Sequence, residues 1–169
     1  MDIKYGYITE EDRFFYLLCV INVYGRMVID YHLGLSCEGK HAARIIQRAL
    51  WKRNLFEKDC RPVIRSDNGP QFISHLFEEN CEQFKLEHER IPPKTPNKNA
   101  HIESFYFLLE TECLSLNEFE SYQQAYQFVS EYIQLYNERR IHGSLYNYAP
   151  YEFRQRLAAG QLKPFTVKV

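Results

Sequence analysis

Asp67 opens the turn-forming run Asp67-Asn68-Gly69-Pro70 behind a short apolar segment, and Glu103 stands near the start of an amphipathic stretch, with 35 residues between the two acids. Divalent-metal phosphoryl transfer needs several carboxylates converging on one point. Mg²⁺ prefers hard oxygen ligands and is held by few protein groups together with substrate phosphates. Strand ends and the first turns of helices are natural places from which to aim such groups. Asp2, Asp12 and Asp30 all precede Asp67 and could complete the set. Taken singly, each acid has an ordinary explanation: Ser-Asp-Asn-Gly is common turn chemistry, and a glutamate near a helix start is favoured by the macrodipole.

The surrounding pattern predicts the elements that must bring these acids together. Residues 13–23, RFFYLLCVINV, are apolar and aromatic almost without interruption and rich in strand formers, which reads as a central strand. Tyr24-Gly25 supplies a turn, residues 26–33 return as an antiparallel partner, and residues 2–7 make a third strand. Asp12 falls in a polar turn. Asp30 alternates with Val28 and His32 in the returning strand and reads as a solvated or edge position. Over residues 38–53, Ala42, Ile45, Ile46, Ala49 and Leu50 fall at helical spacing with Lys40, Arg44, Arg48 and Lys52 opposite, an amphipathic helix.

Residues 62–66 read as a brief strand, residues 74–84 as a helix and residues 86–91 as a last strand. Three prolines keep residues 92–99 out of helix and ladder. Asn97 or Asn99 can cap the helix beginning near Ala100, whose apolar face is Ile102, Phe105, Leu109, Cys113 and Leu116. Ser121 with Gln124 has capping-box spacing and opens a helix carrying Tyr122, Ala125, Tyr126, Val129, Tyr132, Ile133 and Tyr136. Strands alternating with helices imply a mixed sheet covered on both faces.

Composition narrows the class. The 169 residues suffice for one compact domain, and 21 Lys plus Arg against 22 Asp plus Glu leave a net charge of −1. A chain whose affinity came from neutralising phosphates would carry a basic excess, so any grip on DNA is expected to draw on other segments. Cys19, Cys37, Cys60, Cys81 and Cys113 are scattered, odd in number and without a CxxC pair, which excludes a disulfide framework or zinc site as the organising feature. They read as reduced core residues. With no apolar run of ~18 residues and no signal-peptide pattern, the expectation is a soluble, cytoplasmic protein. Trp51 and the thirteen tyrosines read as core and interface side chains rather than a nucleic-acid stacking platform.

Ser66-Asp67-Asn68-Gly69-Pro70-Gln71-Phe72, then Asn99-Ala100-His101-Ile102-Glu103-Ser104-Phe105, then Tyr136-Asn137-Glu138-Arg139-Arg140-Ile141-His142-Gly143-Ser144-Leu145 with Pro150 and Phe153 form an ordered series. It resembles the second-aspartate motif, the glutamate motif and the YNxxRxHxxLxxxxPxxF tail of bacterial insertion-sequence DDE transposases of the retroviral-integrase superfamily. In that family the second and third acids also stand 35 apart. The resemblance runs from Asp2 to about Phe153. It selects Asp2 as the first acid, since the family's first aspartate lies in a strand directly before the long apolar hairpin.

The resemblance implies an α/β ribonuclease H-like (retroviral integrase) fold with a mixed five-stranded sheet flanked by helices. The catalytic core would cover residues 1–117, with a C-terminal helical extension over residues 118–169 packed on the same domain. It implies Asp2, Asp67 and Glu103 as catalytic and metal-binding residues, with Mg²⁺ or Mn²⁺ in a two-metal site and ions about 3.5–4 Å apart. DNA, as element ends and target, would be the partner, in a homo-oligomer, with an N-terminal DNA-binding region in the full protein. Lys94, Lys98, Asn99, Arg139 and Arg140 are the candidates for DNA contact. Without metal the three acids repel, so Glu103 or residues 93–100 are expected to be displaced.

One position departs from the family. Where relatives carry Lys or Arg seven residues after the glutamate, this chain has Glu110, expected to point to solvent. Asn137 and Arg140 are expected to close a helix and His142 to meet a buried polar partner, without a catalytic role. His101, beside Glu103, reads as a surface or supporting group. Two other functions use the same features: a ribonuclease H-like nuclease that hydrolyses without joining, and a domesticated, non-catalytic assembly domain.

Overall fold

The computed structural model describes residues 1–56, 58, 59, 61–92 and 98–167. Strands β1 (Asp2–Ile8), β2 (Arg13–Ile21) and β3 (Val28–Gly34) come first. After them follow α1 (Gly39–Lys52), β4 (Val63–Ser66), α2 (His75–Gln83), β5 (Glu87–Arg90), α3 (Ala100–Glu112), α4 (Tyr122–Glu138) and α5 (Pro150–Ala158).

β2 is unbroken in its apolar character because both of its faces are covered. Phe15, Leu17 and Cys19 pack with Ile102, Phe105 and Leu109 of α3 and with Val129 and Ile133 of α4. Leu18 and Val20 point the other way, onto Ile45 and Ile46 of α1 and Phe77 of α2. The result is three layers, with the candidate acids carried by β1, by the turn after β4 and by α3. Ser121 accepts from the Gln124 amide at 3.2 Å to start α4. The returning arm of the cap lands one residue early, Gln124 accepting from the Glu120 amide at 2.7 Å.

The expected five-stranded sheet is present as two ladders. β1, β2 and β3 are antiparallel in that order, and β4 pairs parallel with β5. β1 enters at Asp2, so only Met1 lies beside β4, and its amine donates to the Arg65 carbonyl at 2.5 Å. The β2–β3 connection is longer than a Tyr24-Gly25 turn. A register shift at Val20/Ile21, an Asn22 amide bonded to the Met27 carbonyl at 2.8 Å and a left-handed Arg26 (φ 54°) spread it over six residues. Trp51 lies 71% exposed on α1 and Leu116 71% exposed beyond α3, so neither belongs to the core expected for it.

Asp30 corrects the reading of its strand. It is 1% exposed and faces α1, where Arg48 reaches it at 2.7 Å and Lys52 at 2.8 Å. Two cations of the supposedly solvated helix face therefore clamp one buried carboxylate, whose second oxygen has no partner among the described residues. The alternation of β3 alone could not reveal this, because the counter-charges come from a different element.

Asn137 takes on a wider task than ending α4. Its side chain accepts from the Val28 amide and donates to the Val28 carbonyl, both at 2.9 Å, tying the helix to the start of β3. Asn137→Ala leaves both backbone groups without that partner and is expected to cost about 2 kcal/mol. A thermal melt should show a fall of roughly 6 °C.

Candidate active site

The parallel strand β4 delivers Asp67 into an exposed turn, where its Oδ1 accepts from the Gly69 amide at 3.0 Å. Asn68 secures that turn by donating to the Ile91 carbonyl at 3.0 Å, just past the end of β5. Beneath it, Ser66 is fully buried and its hydroxyl bonds His88 Nε2 at 2.8 Å. The Ser-Asp-Asn sequence thus fixes the strand end from two sides while leaving the Asp67 carboxylate in solvent.

Asp2 starts β1 and pairs with Cys19, which places it on the α3 side of the sheet. Asp30 pairs with Val20 and faces α1, and Asp12 sits beyond the far end of β1 in a left-handed turn (φ 46°). Of the three early aspartates, Asp2 is the one beside β4 and α3. Its Oδ1 accepts from the Ile3 amide at 2.8 Å and its Oδ2 from Asn99 Nδ2 at 3.2 Å. Asn99 occupies the N-cap position of α3 but makes no side-chain cap bond there.

Glu103 projects from the first turn of α3 and is exposed. Almost one turn later Tyr106 points inward, and its buried hydroxyl reaches the Asp2 carbonyl at 2.5 Å and the Leu17 carbonyl at 3.1 Å. One helix therefore presents an acid outward and holds the backbone of another acid from beneath. Sequence reasoning missed Tyr106; its placement three residues after Glu103, on the buried side of an amphipathic helix, was the available signal.

Burial is the main cause that raises the Asp2 carboxyl from its ordinary 3.8 to about 6, and the Asp67 and Glu103 carboxylates add to the rise; the Ile3 amide and the Met1 ammonium oppose it. Asp2 is thus within electrostatic reach of both other acids. Among the described residues, no three acidic, histidine or cysteine side chains lie close enough together to hold an ion as they stand. The donor set is oxygen only and largely solvent-facing, which suits a hard divalent cation. Residues 93–97, including Lys94 and Asn97, lie outside the described residues, and with them most of the segment expected to be displaced.

A carboxyl raised in the folded state binds its proton more tightly there than in the unfolded chain. Its stabilising contribution is complete below pH ~4 and is lost as pH rises through about 6. Metal-free protein should lose about 2–3 kcal/mol from this group across that window. In Asp2→Asn the pH-dependent loss should disappear, with a higher Tm than the parent at pH 7.5 in chelator. Because the lowered His142 adds stability as pH rises over the same window, the comparison is between variant and parent, and Tm values that change alike with pH in the two proteins would refute the burial account.

Lys98 and Arg140, two of the other charged candidates, are already engaged. Lys98 pairs with Glu89 at 2.6 Å and Arg65 with the same carboxylate at 2.7 Å, tying the approach to α3 onto β4 and β5. Arg140 binds Glu112 at 2.7 Å, about 13 Å along α3 from Glu103. Arg139, at the C-cap of α4, is exposed. Glu110 does not simply face solvent, since it pairs with Lys4 of β1 at 2.7 Å. His142 lies edge-on to Tyr136, its Nε2 has no partner among the described residues, and burial pushes it down to about 4. The buried polar partner expected for it is absent from that nitrogen, and neutral imidazole packs there as an aromatic.

Two family models, both described as integrase core domain, match residues 1–96 and 85–150. An insertion element IS476 39.2 kDa protein of Xanthomonas euvesicatoria is 31% identical over 80% of this chain and 38% of its own length. The transposase InsF for insertion sequence IS3A of Escherichia coli K12 is 25% identical over 89% of this chain and 51% of its own. The chain therefore spans about half the length of the curated relatives it matches. Among solved structures, the Mos1 transposase catalytic domain with Raltegravir and Mg superposes with a TM-score of 0.65 at 18% identity, over 98% of this chain and 83% of that one. The catalytic core domain of BIV integrase gives 0.57 at 14% identity, over 95% of each. These likenesses establish the ribonuclease H-like fold, and with a core model spanning more than half of its residues the chain belongs to the integrase core domain family, beside the transposases of bacterial insertion sequences.

Proposed function

We propose that this chain is the catalytic core of a DNA transposase that cleaves a phosphodiester at an element end and joins the freed 3′-hydroxyl to target DNA. Asp2, Asp67 and Glu103 are the acids that hold Mg²⁺ or Mn²⁺. This reading is supported by the integrase core match and by the placement of Asp2, which lies beside the strand that ends at Asp67 and is bonded by Asn99 at the start of the helix that carries Glu103. When bound, divalent ions supply charge neutralisation at the attacking and leaving oxygens of an in-line displacement.

The chain's own residues supply position. Tyr106 fixes the backbone under Asp2, Asn99 orients its carboxylate, and Asn68 and Gly69 set the Asp67 turn. Arg139, Arg140, Lys98, Lys94 and Asn99 are the proposed contacts to DNA phosphates. With a net charge of −1, this core relies on further DNA-binding polypeptide in the full protein and on a second copy to hold the two element ends.

Incubation with Mn²⁺ and a labelled duplex carrying the terminal sequence of its own element should yield a nicked species and a longer, joined one. Nicking without joining would reassign the chain as a nuclease. If neither product forms and Asp67→Asn binds Mn²⁺ as the parent does, the assembly-domain reading replaces catalysis.

A further inference from the structure

We infer that His88 is a positioning residue for Asp67, acting through the buried hydroxyl of Ser66. The inference rests on the proposed metal role of Asp67. His88 stands opposite Ile64 in the parallel β4–β5 ladder, and its ring turns to the face that Ile64 and Ser66 share. It lies edge-on to the fully buried Phe77 with centroids 5.1 Å apart, and its Nε2 is 2.8 Å from Ser66 Oγ.

A hydroxyl has one proton to give. Ser66 spends it on the Asp67 carbonyl at 2.9 Å, so toward His88 the same oxygen accepts and Nε2 carries the hydrogen. Donation therefore runs from His88 Nε2–H to Ser66 Oγ, and from Ser66 Oγ–H to the Asp67 carbonyl. Burial is the main cause that holds the ring below its ordinary 6.5, so at neutral pH it is uncharged and has a single N–H. With that hydrogen on Nε2, Nδ1 is bare.

The relay grips the backbone of the candidate acid itself. On either side of it, the Ser66 carbonyl accepts from the Ile91 amide at 2.9 Å and Asn68 donates to the Ile91 carbonyl at 3.0 Å. Those bonds hold the neighbours of Asp67, whereas the Ser66 hydroxyl holds its own carbonyl. The carboxylate is exposed and meets the Gly69 amide through Oδ1, so its aim follows from how the backbone beneath it is held. A ligand on a loosely held turn samples several directions, and one whose carbonyl is fixed from the core side is presented in fewer.

The test uses Mn²⁺ as the probe, with amide exchange beside it. In the metal-free parent at pH 7.5, nitrogen NMR should find the His88 proton on Nε2; this measurement uses the unaltered chain and needs no variant to fold. His88→Phe keeps a ring against Phe77 and removes the donor, whereas the amide of His88→Gln can donate from the place of Nε2. The phenylalanine variant should weaken Mn²⁺ binding about tenfold or more. It should also speed exchange of the Gly69 amide about tenfold. The glutamine variant should stay within about threefold of the parent in both. Made in a Ser66→Ala background, His88→Phe should add no further loss, because the link between the two groups is already gone. A proton on Nδ1, no rescue by glutamine, or an equal loss with and without the Ser66 hydroxyl overturns the proposal. If Asp67→Asn binds Mn²⁺ as the parent does, the metal reading fails, and the Gly69 exchange rates alone decide the relay.

Discussion

Asp67→Asn is expected to lower Mn²⁺-dependent DNA cleavage by roughly 10³-fold while leaving the fold unchanged. Asparagine keeps the Oδ1 that accepts from the Gly69 amide, so the turn after β4 retains its bond, and the side chain is exposed, so no packing is lost. What disappears is one negative charge from the set sensed by Asp2. Glu103→Gln, on the exposed side of α3, should behave alike. The readouts are plasmid nicking, a Mn²⁺ binding isotherm and a thermal melt on the same preparation. Activity within tenfold of the parent would remove Asp67 from the proposed metal set, and a collapse in Tm would show that the residue is structural.

The second large effect is on stability. Arg48→Met together with Lys52→Met strands Asp30, which is 1% exposed, without either counter-charge. Breaking a buried pair from one side typically costs ~3–5 kcal/mol, because the remaining charge cannot be rehydrated in place. Replacing all three, with Asp30→Leu added, should recover most of that loss, since an apolar cluster of similar volume needs no charge compensation there. Urea denaturation of the two variants decides the matter. A double variant within about 1 kcal/mol of the parent would mean that water reaches Asp30 when the cations leave.

These expectations also mark what the sequence could and could not disclose. β2 was legible because burial on both faces of its inner part leaves eight residues, Phe14 to Ile21, without a charge, a pattern that few other elements produce. The glutamate helix and the turn carrying Asp67 were legible because spacing and turn chemistry are local. Asp30 was misread for the complementary reason: its environment is set by Arg48 and Lys52, about 20 positions away on another element. Glu110 followed the same logic, its partner Lys4 lying on β1. The split of the sheet into two ladders was not foreseen, since strand propensity says nothing about which edges find partners. Of the candidate site, the proposed acids rest on motif and resemblance, whereas Tyr106 and the Asn99 contact to Asp2 are products of the fold.

The Tyr106 hydroxyl bears on how this scaffold can change without losing its purpose. Because α3 is bolted directly to the backbone of β1 and β2, the relative pose of Glu103 and Asp2 is held by that internal fastening together with the Asn99 contact. Changes to the connector between β5 and α3 ahead of Lys98 should therefore be tolerated, provided that Lys98 and Asn99 keep their contacts to Glu89 and Asp2. Phenylalanine at position 106 would be the more damaging change, although it touches no surface at all.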